Sequence, residues 1–115
     1  MLDAHIAAGG GRFRGIRRAV AWDAADVIRN HRTEPPAGLL LQDKFRRGFA
    51  ELGPRGMTFE AWCYHPQLAA VTDLARAFPD TTIILDHFGG PLGTGPYAGK
   101  AKAVFDIWEP LMLEL

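Results

Sequence analysis

The chain predicts an α/β fold built on a parallel sheet, and three observations lead there. Residues 81–86 (TTIILD) make a β-branched run that is apolar on both faces, as in a strand covered by helices on each side. Segments of strand character alternate with segments of helical spacing along the whole chain. Each of the three strand segments also ends in charged or titratable residues, and parallel α/β folds meet their ligands at those ends.

The elements follow in order. Residues 2–8 read as helix, closed by Gly9, Gly10 and Gly11 in the manner of a left-handed C-cap. Nothing before this helix caps it, as expected either of a chain whose upstream part is missing or of a frayed terminal turn. Residues 13–20 (FRGIRRAV) form the first strand. Asp23 is placed to cap a short helix through Asn30, which residues 33–36 (TEPP) stop. In residues 42–52, Phe45, Phe49 and Leu52 share one helical face, and Gly53-Pro54 ends the run. Residues 57–64 (MTFEAWCY) form the second strand.

Pro66 then stands where a helix begins, and Leu68, Val71, Leu74, Ala75 and Phe78 follow at helical spacing. Pro79-Asp80 breaks that run ahead of the third strand, residues 81–86. Residues 89–99 are loop, and residues 100–108 are a helix that Pro110 interrupts. Strand–helix–strand order with crossovers of this length gives right-handed βαβ units. The expected architecture is a partial (β/α)8 TIM barrel of about three parallel βα units, because a complete barrel takes ~250 residues. Three strands leave two open edges, which invite self-association into a homo-oligomer.

At 115 residues the chain has room for one domain, and 48% hydrophobic residues suffice for a core. Lys+Arg and Asp+Glu are both 13, so the net charge is zero, which argues against nucleic acid or an anionic membrane surface as partner. The expected partner is a small-molecule substrate. The lone Cys63 cannot form an intramolecular disulfide, no apolar targeting stretch opens the chain, and no run reaches the ~18 apolar residues of a membrane span. The expectation is a cytoplasmic protein.

Candidate site residues come from the strand ends. Strand alternation groups Ile83, Leu85 and His87 against Ile84, Asp86 and Phe88. If the first set lines the barrel, His87 stands at its mouth, able to bind metal, polarise a carbonyl or relay a proton, while Asp86 faces the helices. The Gly89-Gly90 pair after it lets backbone and ligand approach closely. On the second strand, Phe59, Ala61, Cys63 and His65 alternate with Glu60, Trp62 and Tyr64, so either Tyr64 or His65 reaches the site. On the first, Arg17 and Arg18 offer the planar fork that recognises carboxylates, and only one of them points inward. Arg17 shares its face with the small Gly15. The alternative for either arginine is solvent, or a pair with Asp23 or Asp26. A metal site needs several convergent ligands, and only His65 and His87 are placed to approach each other.

Other patterns fail. In GTGPYAGKA the phosphate-loop glycine expected at 94 is Thr94, and Ala101 replaces Ser/Thr; the dinucleotide fingerprint fails because its third glycine falls at 99 rather than 98. Cys63 sits in an apolar strand as a core residue. There is no serine, hence no Gly-x-Ser-x-Gly elbow. His5 and His31 are isolated surface histidines.

The runs RFRGIRRAVAWD (12–23), FEAWCYHPQL (59–68) and LARAFPDTTIILDHFGGPLGTGPYAGK (74–100), with Phe45-Arg46-x-Gly48-Phe49-Ala50, resemble the amidohydrolase-2 family. They look most like its branch related to 2-pyrone-4,6-dicarboxylate lactonase. The resemblance implies a TIM-barrel hydrolase whose strands four to six correspond to the three read here, so that residues 1–115 are a central fragment of the barrel domain. It implies that His87 binds metal or polarises the scissile carbonyl and that Arg17 contacts a substrate carboxylate. Tyr64 and His65 fall at the strand-five end, where relatives place a metal-binding histidine or a substrate contact. The cofactor implied is a divalent metal such as zinc in the full-length enzyme, although metal-independent members leave that open. The strand-one His-x-His pair and the strand-eight aspartate, which activates water, have no counterpart here. Asp86, expected on the face opposite His87, is no substitute. The expectation is therefore a hydrolase fragment acting on a lactone or amide-like carbonyl, inactive by itself, or else a non-catalytic half-barrel that self-associates or completes a partner chain.

Overall fold

The computed structural model describes residues 1–30 and 32–115. His31 lies outside the described residues, while His5 is exposed as expected, its ring tilted against Phe13. The elements are α1 (Leu2–Gly9), β1 (Gly15–Ala19), α2 (Asp43–Phe49), β2 (Thr58–Trp62), α3 (Leu68–Ala77), β3 (Ile83–Leu85) and α4 (Ala101–Glu114). The strands form one open sheet in the order β1-β2-β3, all parallel. This is the α/β class the alternation predicts, with three strands of a barrel-like series.

The register decides which side chains share a face. Arg17 pairs with Glu60 and Glu60 with Ile84, while Phe59 pairs with Ile83 and Ala61 with Leu85. Paired residues on neighbouring parallel strands point the same way, so Phe59, Ala61, Ile83 and Leu85 face one side and Arg17, Glu60 and Ile84 the other. The first side is packed. Phe59 at 1% exposure meets Phe49 edge-on, with ring centroids 5.1 Å apart, and Leu52, Leu68, Val71 and Leu74 complete the core. The helical spacing of Leu68, Val71 and Leu74 along α3 is what lets one helix cover the sheet.

Among the described residues, no helix covers the other side. Ile84, in the middle of β3, is 44% exposed. The two-sided burial expected of residues 81–86 is therefore not found: only the helix-facing side is covered.

Two helices differ from expectation. Residues 23–30 do not form one. The Asp23 carboxylate accepts the Ala25 N–H at 2.8 Å, and Asn30 folds back to accept the Asp23 N–H at 2.7 Å and donate to the Asp23 carbonyl at 3.2 Å. These side-chain bonds to the backbone replace the helical ladder, and buried Ile28 anchors the loop. Helix α4, in contrast, runs through Pro110 to Glu114. A proline removes one ladder bond, but Leu111 and Met112 pack against the core and Glu114 pairs with Arg76 at 3.0 Å, which holds the last turn.

The strand that centres this core sets a clear test. Phe59→Ala is expected to cost about 3–5 kcal/mol. Urea unfolding followed by tryptophan fluorescence checks it, and an unmoved midpoint would place the core elsewhere.

Candidate functional site

The carboxyl ends of the three strands are joined by a compact backbone arrangement. β3 stops at Leu85, and His87 and Phe88 both take left-handed conformations, with φ of 52° and 54°. Gly89 and Gly90 continue them at φ 69° and 53°. A left-handed residue with a side chain costs roughly 1–2 kcal/mol, so two in succession persist only where packing dictates them. Here it does. A side chain on Gly90 would collide with the Cys63 carbonyl at the end of β2, and one on Gly89 with the Leu68 side chain. The turn closes with the Gly90 N–H on the His87 carbonyl at 3.0 Å, while the His65 N–H donates to the Gly90 carbonyl at 3.1 Å.

Alternation holds through Asp86, which lies on the side of Ile84, but that set faces the bare side rather than the helices; only at His87 does the left-handed turn break it. Asp86 does not face the helices. Its Oδ2 lies 3.2 Å from Arg17 Nε, on the side that carries Glu60 and Ile84. His87 is exposed, and its ring stands edge-on to Trp62, centroids 6.3 Å apart. Because Trp62 alternates with Ala61 onto the side of Glu60, Asp86 and His87 flank the same bare face rather than opposite ones.

Arg17 is the inward arginine of β1; Arg18 points with Ile16 towards the helices. The guanidinium is not paired with Asp23 or Asp26. Its Nε donates to Glu60 Oε2 at 2.6 Å, and Nη2 lies 2.5 Å from the same oxygen. The hydrogen bond to Glu60, then the charge of Asp86, raises the Arg17 pKa further. The Arg17 side chain is 60% exposed and that of Asp86 only 10%. Among the described residues, Asp86 Oδ2 accepts no hydrogen bond, since the single Nε hydrogen of Arg17 is engaged by Glu60.

Tyr64 and His65 serve the scaffold around this face. The Tyr64 hydroxyl donates to the Arg29 carbonyl at 2.6 Å. His65 is 1% exposed; its Nδ1 accepts the Leu92 N–H at 3.4 Å and its ring lies edge-on to Tyr97 at 5.1 Å. Burial lowers the His65 pKa against the opposing charge of Asp23. Tyr97 in turn donates its hydroxyl to Asp23 Oδ2 at 2.7 Å, which raises the tyrosine's own pKa. Gln67 ties the ends of β1 and β2 together: its Oε1 accepts the Tyr64 N–H at 3.0 Å, and its Nε2 donates to the Trp22 carbonyl at 2.7 Å. The loop after β3 thus crosses the end of β2 and is tied down on the loop after β1.

Sequence reasoning missed Glu60, Trp62, Gln67 and Tyr97. Glu60 and Trp62 share an alternation set, and a parallel register with Arg17 would have brought them forward. Nothing local in the sequence connects Tyr97 with Asp23, 74 positions apart. Cys63 is the core residue expected: burial first, then the charge of Asp86, pushes its thiol up to about 12, so it is no nucleophile at neutral pH.

The face of Arg17, Glu60, Asp86, Trp62 and His87 can grip an anion, orient a polar group and present an imidazole. Among the described residues, no three His, Cys, Asp or Glu side chains converge to hold a metal ion. His65 is engaged under the loop while His87 stands beyond Trp62. The residues present do not form a metal centre on their own, and no step below runs through one. No helix among the described residues is long and apolar enough to cross a membrane.

A family model described as Amidohydrolase matches residues 2–112. The chain belongs to the amidohydrolase family. An uncharacterized protein of Sinorhizobium fredii, y4mH, is 33% identical over 105 residues, covering 90% of this chain and 34% of that protein. This amidohydrolase-family chain therefore spans about a third of the length of that relative. No solved structure matches it.

The buried His65 gives a pH test with a definite sign. Its folded pKa lies below the ordinary 6.5, so the unfolded chain takes up the proton first as pH falls. Stability is expected to decline as pH drops below about 6.5 and to level off once the folded-state pKa is passed. Urea midpoints across that range should show the slope, and His65→Asn should flatten it.

Proposed function

We propose that this chain is the substrate-positioning part of an amidohydrolase-type barrel acting on a lactone or amide-like carbonyl of a carboxylated small molecule. In this reading β1, β2 and β3 are barrel strands four to six, residues 1–115 are a central part of the barrel domain, and the lactonase-related branch is the nearest relation. The observation that carries it is the gathering on one sheet face of Arg17 and Glu60, at mid-strand on β1 and β2, with Trp62, Asp86 and His87 at the carboxyl ends of β2 and β3. Such ends are where enzymes of barrel architecture hold their substrates.

Each residue has a role in that reaction. Arg17 holds the substrate carboxylate, since a guanidinium presents two parallel donors to two oxygens. His87, exposed at the rim and steadied by Trp62, donates a hydrogen bond to the carbonyl oxygen as charge develops there during attack by water. The strain of its left-handed backbone fixes where the ring stands. Tyr64 and His65 act behind the face, holding the loops that frame it. General-base hydrolysis also needs a carboxylate across the scissile bond from the polarising group. Asp86 and Glu60 are both engaged with Arg17, on the positioning side.

A second reading has its own observation. Ile84 stands 44% exposed at mid-strand on the bare face, and β1 and β3 are both edge strands. A non-catalytic half-barrel would cover this surface with another copy or a partner chain. Size-exclusion chromatography separates the two readings: a compact monomer counts against association, whereas a dimer that Ile84→Lys dissolves would favour it.

Two outcomes test the first reading. The purified 115-residue chain is expected to show no turnover across a panel of carboxylated lactones; robust hydrolysis free of contaminating enzyme would overturn that. The chain is expected to bind a carboxylate probe at this face, and Arg17→Gln should weaken that binding about tenfold or more, as loss of a charge-assisted bond does. Binding that survives the change would sink the assignment of Arg17.

A further inference from the structure

The pairing at Arg17 has a built-in asymmetry. Nε and Nη2 form the guanidinium edge that takes a carboxylate side-on, one donor to each oxygen. Glu60 meets that edge with a single oxygen, Oε2, which accepts the Nε–H at 2.6 Å and lies 2.5 Å from Nη2. Asp86 waits behind it: its Oδ2 is buried, lies 3.2 Å from Nε and accepts no hydrogen bond among the described residues. The three side chains sum to one negative charge, so Arg17 has more acid around it than it can neutralise.

The two acids differ in freedom. Glu60 is 34% exposed and Asp86 only 10%. Glu60 can therefore swing into water at little cost, because an exposed ion pair contributes little to stability. Asp86 cannot leave without dragging a buried oxygen past its neighbours. When an external anion arrives, the acid that yields is Glu60.

Resting on the proposal that Arg17 receives a substrate carboxylate, we infer that Glu60 is an internal competitor for it and sets the site's selectivity for anions. Glu60 occupies the guanidinium edge in the empty state. A ligand carboxylate displaces it by offering two oxygens in place of one. Asp86, 3.2 Å from Nε, stays in place as the guanidinium's fixed ion-pair partner while the ligand takes both donors of the edge. Asp86 is the fixed anchor, Glu60 the movable plug. A tethered competitor acts at high effective concentration, so weak single-point anions such as chloride are held off. Ligands that combine a carboxylate with further contacts on the face are admitted.

Titration of the full 115-residue chain with isophthalate, its affinity read by calorimetry and its contact followed through the Arg17 Nε–H resonance where Arg17 is kept, tests this. Glu60→Gln and Glu60→Ala should each bind the probe about two- to fivefold tighter than the unaltered chain, the range that removing an exposed ion pair allows. Far-UV circular dichroism checks that each variant is folded, and the two variants guard against one of them failing. In the bound state the Nε–H resonance should shift as its acceptor changes from Glu60 to the probe, and in Glu60→Ala its position before titration should already differ from that of the unaltered chain. Equal or weaker binding by both folded Glu60 variants, with Arg17→Gln still abolishing binding, overturns the competitor role while leaving Arg17 as the anion grip. Binding that Arg17→Gln leaves intact overturns both.

Discussion

Where β3 meets β2, the backbone of Gly90 lies so close to the Cys63 carbonyl that no side chain fits between them. Much of the rim depends on that approach. To reach it, the chain leaving β3 winds through left-handed conformations at His87, Phe88, Gly89 and Gly90. The glycines adopt them freely, but His87 and Phe88 do not. The strain at those two residues is offset by what the turn secures: the His65 N–H reaches the Gly90 carbonyl, and the Leu92 N–H reaches the His65 ring. Tyr97 then arrives over His65 and extends to Asp23. One close backbone contact thus ties together the loops that follow all three strands.

The two faces of the sheet are held by different physics. On the helix side, Phe59, Leu68, Leu74 and their neighbours are removed from water, and burial of apolar area is a large, non-directional term. On the bare side, the order is ionic. Arg17, Glu60 and Asp86 form a cluster that is weak in water and readily rearranged. This division suits a binding site: the packed face fixes the strand register, and the register alone sets Arg17 opposite Glu60. The polar face can exchange partners without disturbing the packing that positions it.

What was legible in the sequence follows the same division. The elements packed by apolar periodicity, α2, β2 and α3, appear where the spacing places them, because burial pattern and local structure agree there. The misreadings lie where polar side chains or backbone geometry take over. Asp23 carries the capping chemistry expected of it, but Asn30 completes a closed loop rather than a helix. Asp86 keeps the side of Ile84 that alternation gives it, but that set faces the bare side and not the helices, whereas His87 leaves its expected set because the strand ends at Leu85. A two-residue period has no predictive force across a left-handed turn. The Gly89-Gly90 pair was a visible sign that the backbone approaches something closely, although not of what it approaches.

That misassignment bears directly on chemistry. With Asp86 on the helix side, Arg17 and Glu60 would form a single neutral pair. With Asp86 and Glu60 beside it, the same arginine sits in a surplus of negative charge, and its affinity for a ligand carboxylate becomes a difference between two occupied states. An arginine held in this way is preorganised, since Asp86 fixes the position of Nε, and at the same time restrained, since Glu60 fills the edge it would offer. In the proposed role of Arg17, specificity comes from competition as much as from fit. A site that discriminates by displacement needs little shape of its own, which accords with an open sheet face whose recognition groups come from three short strands.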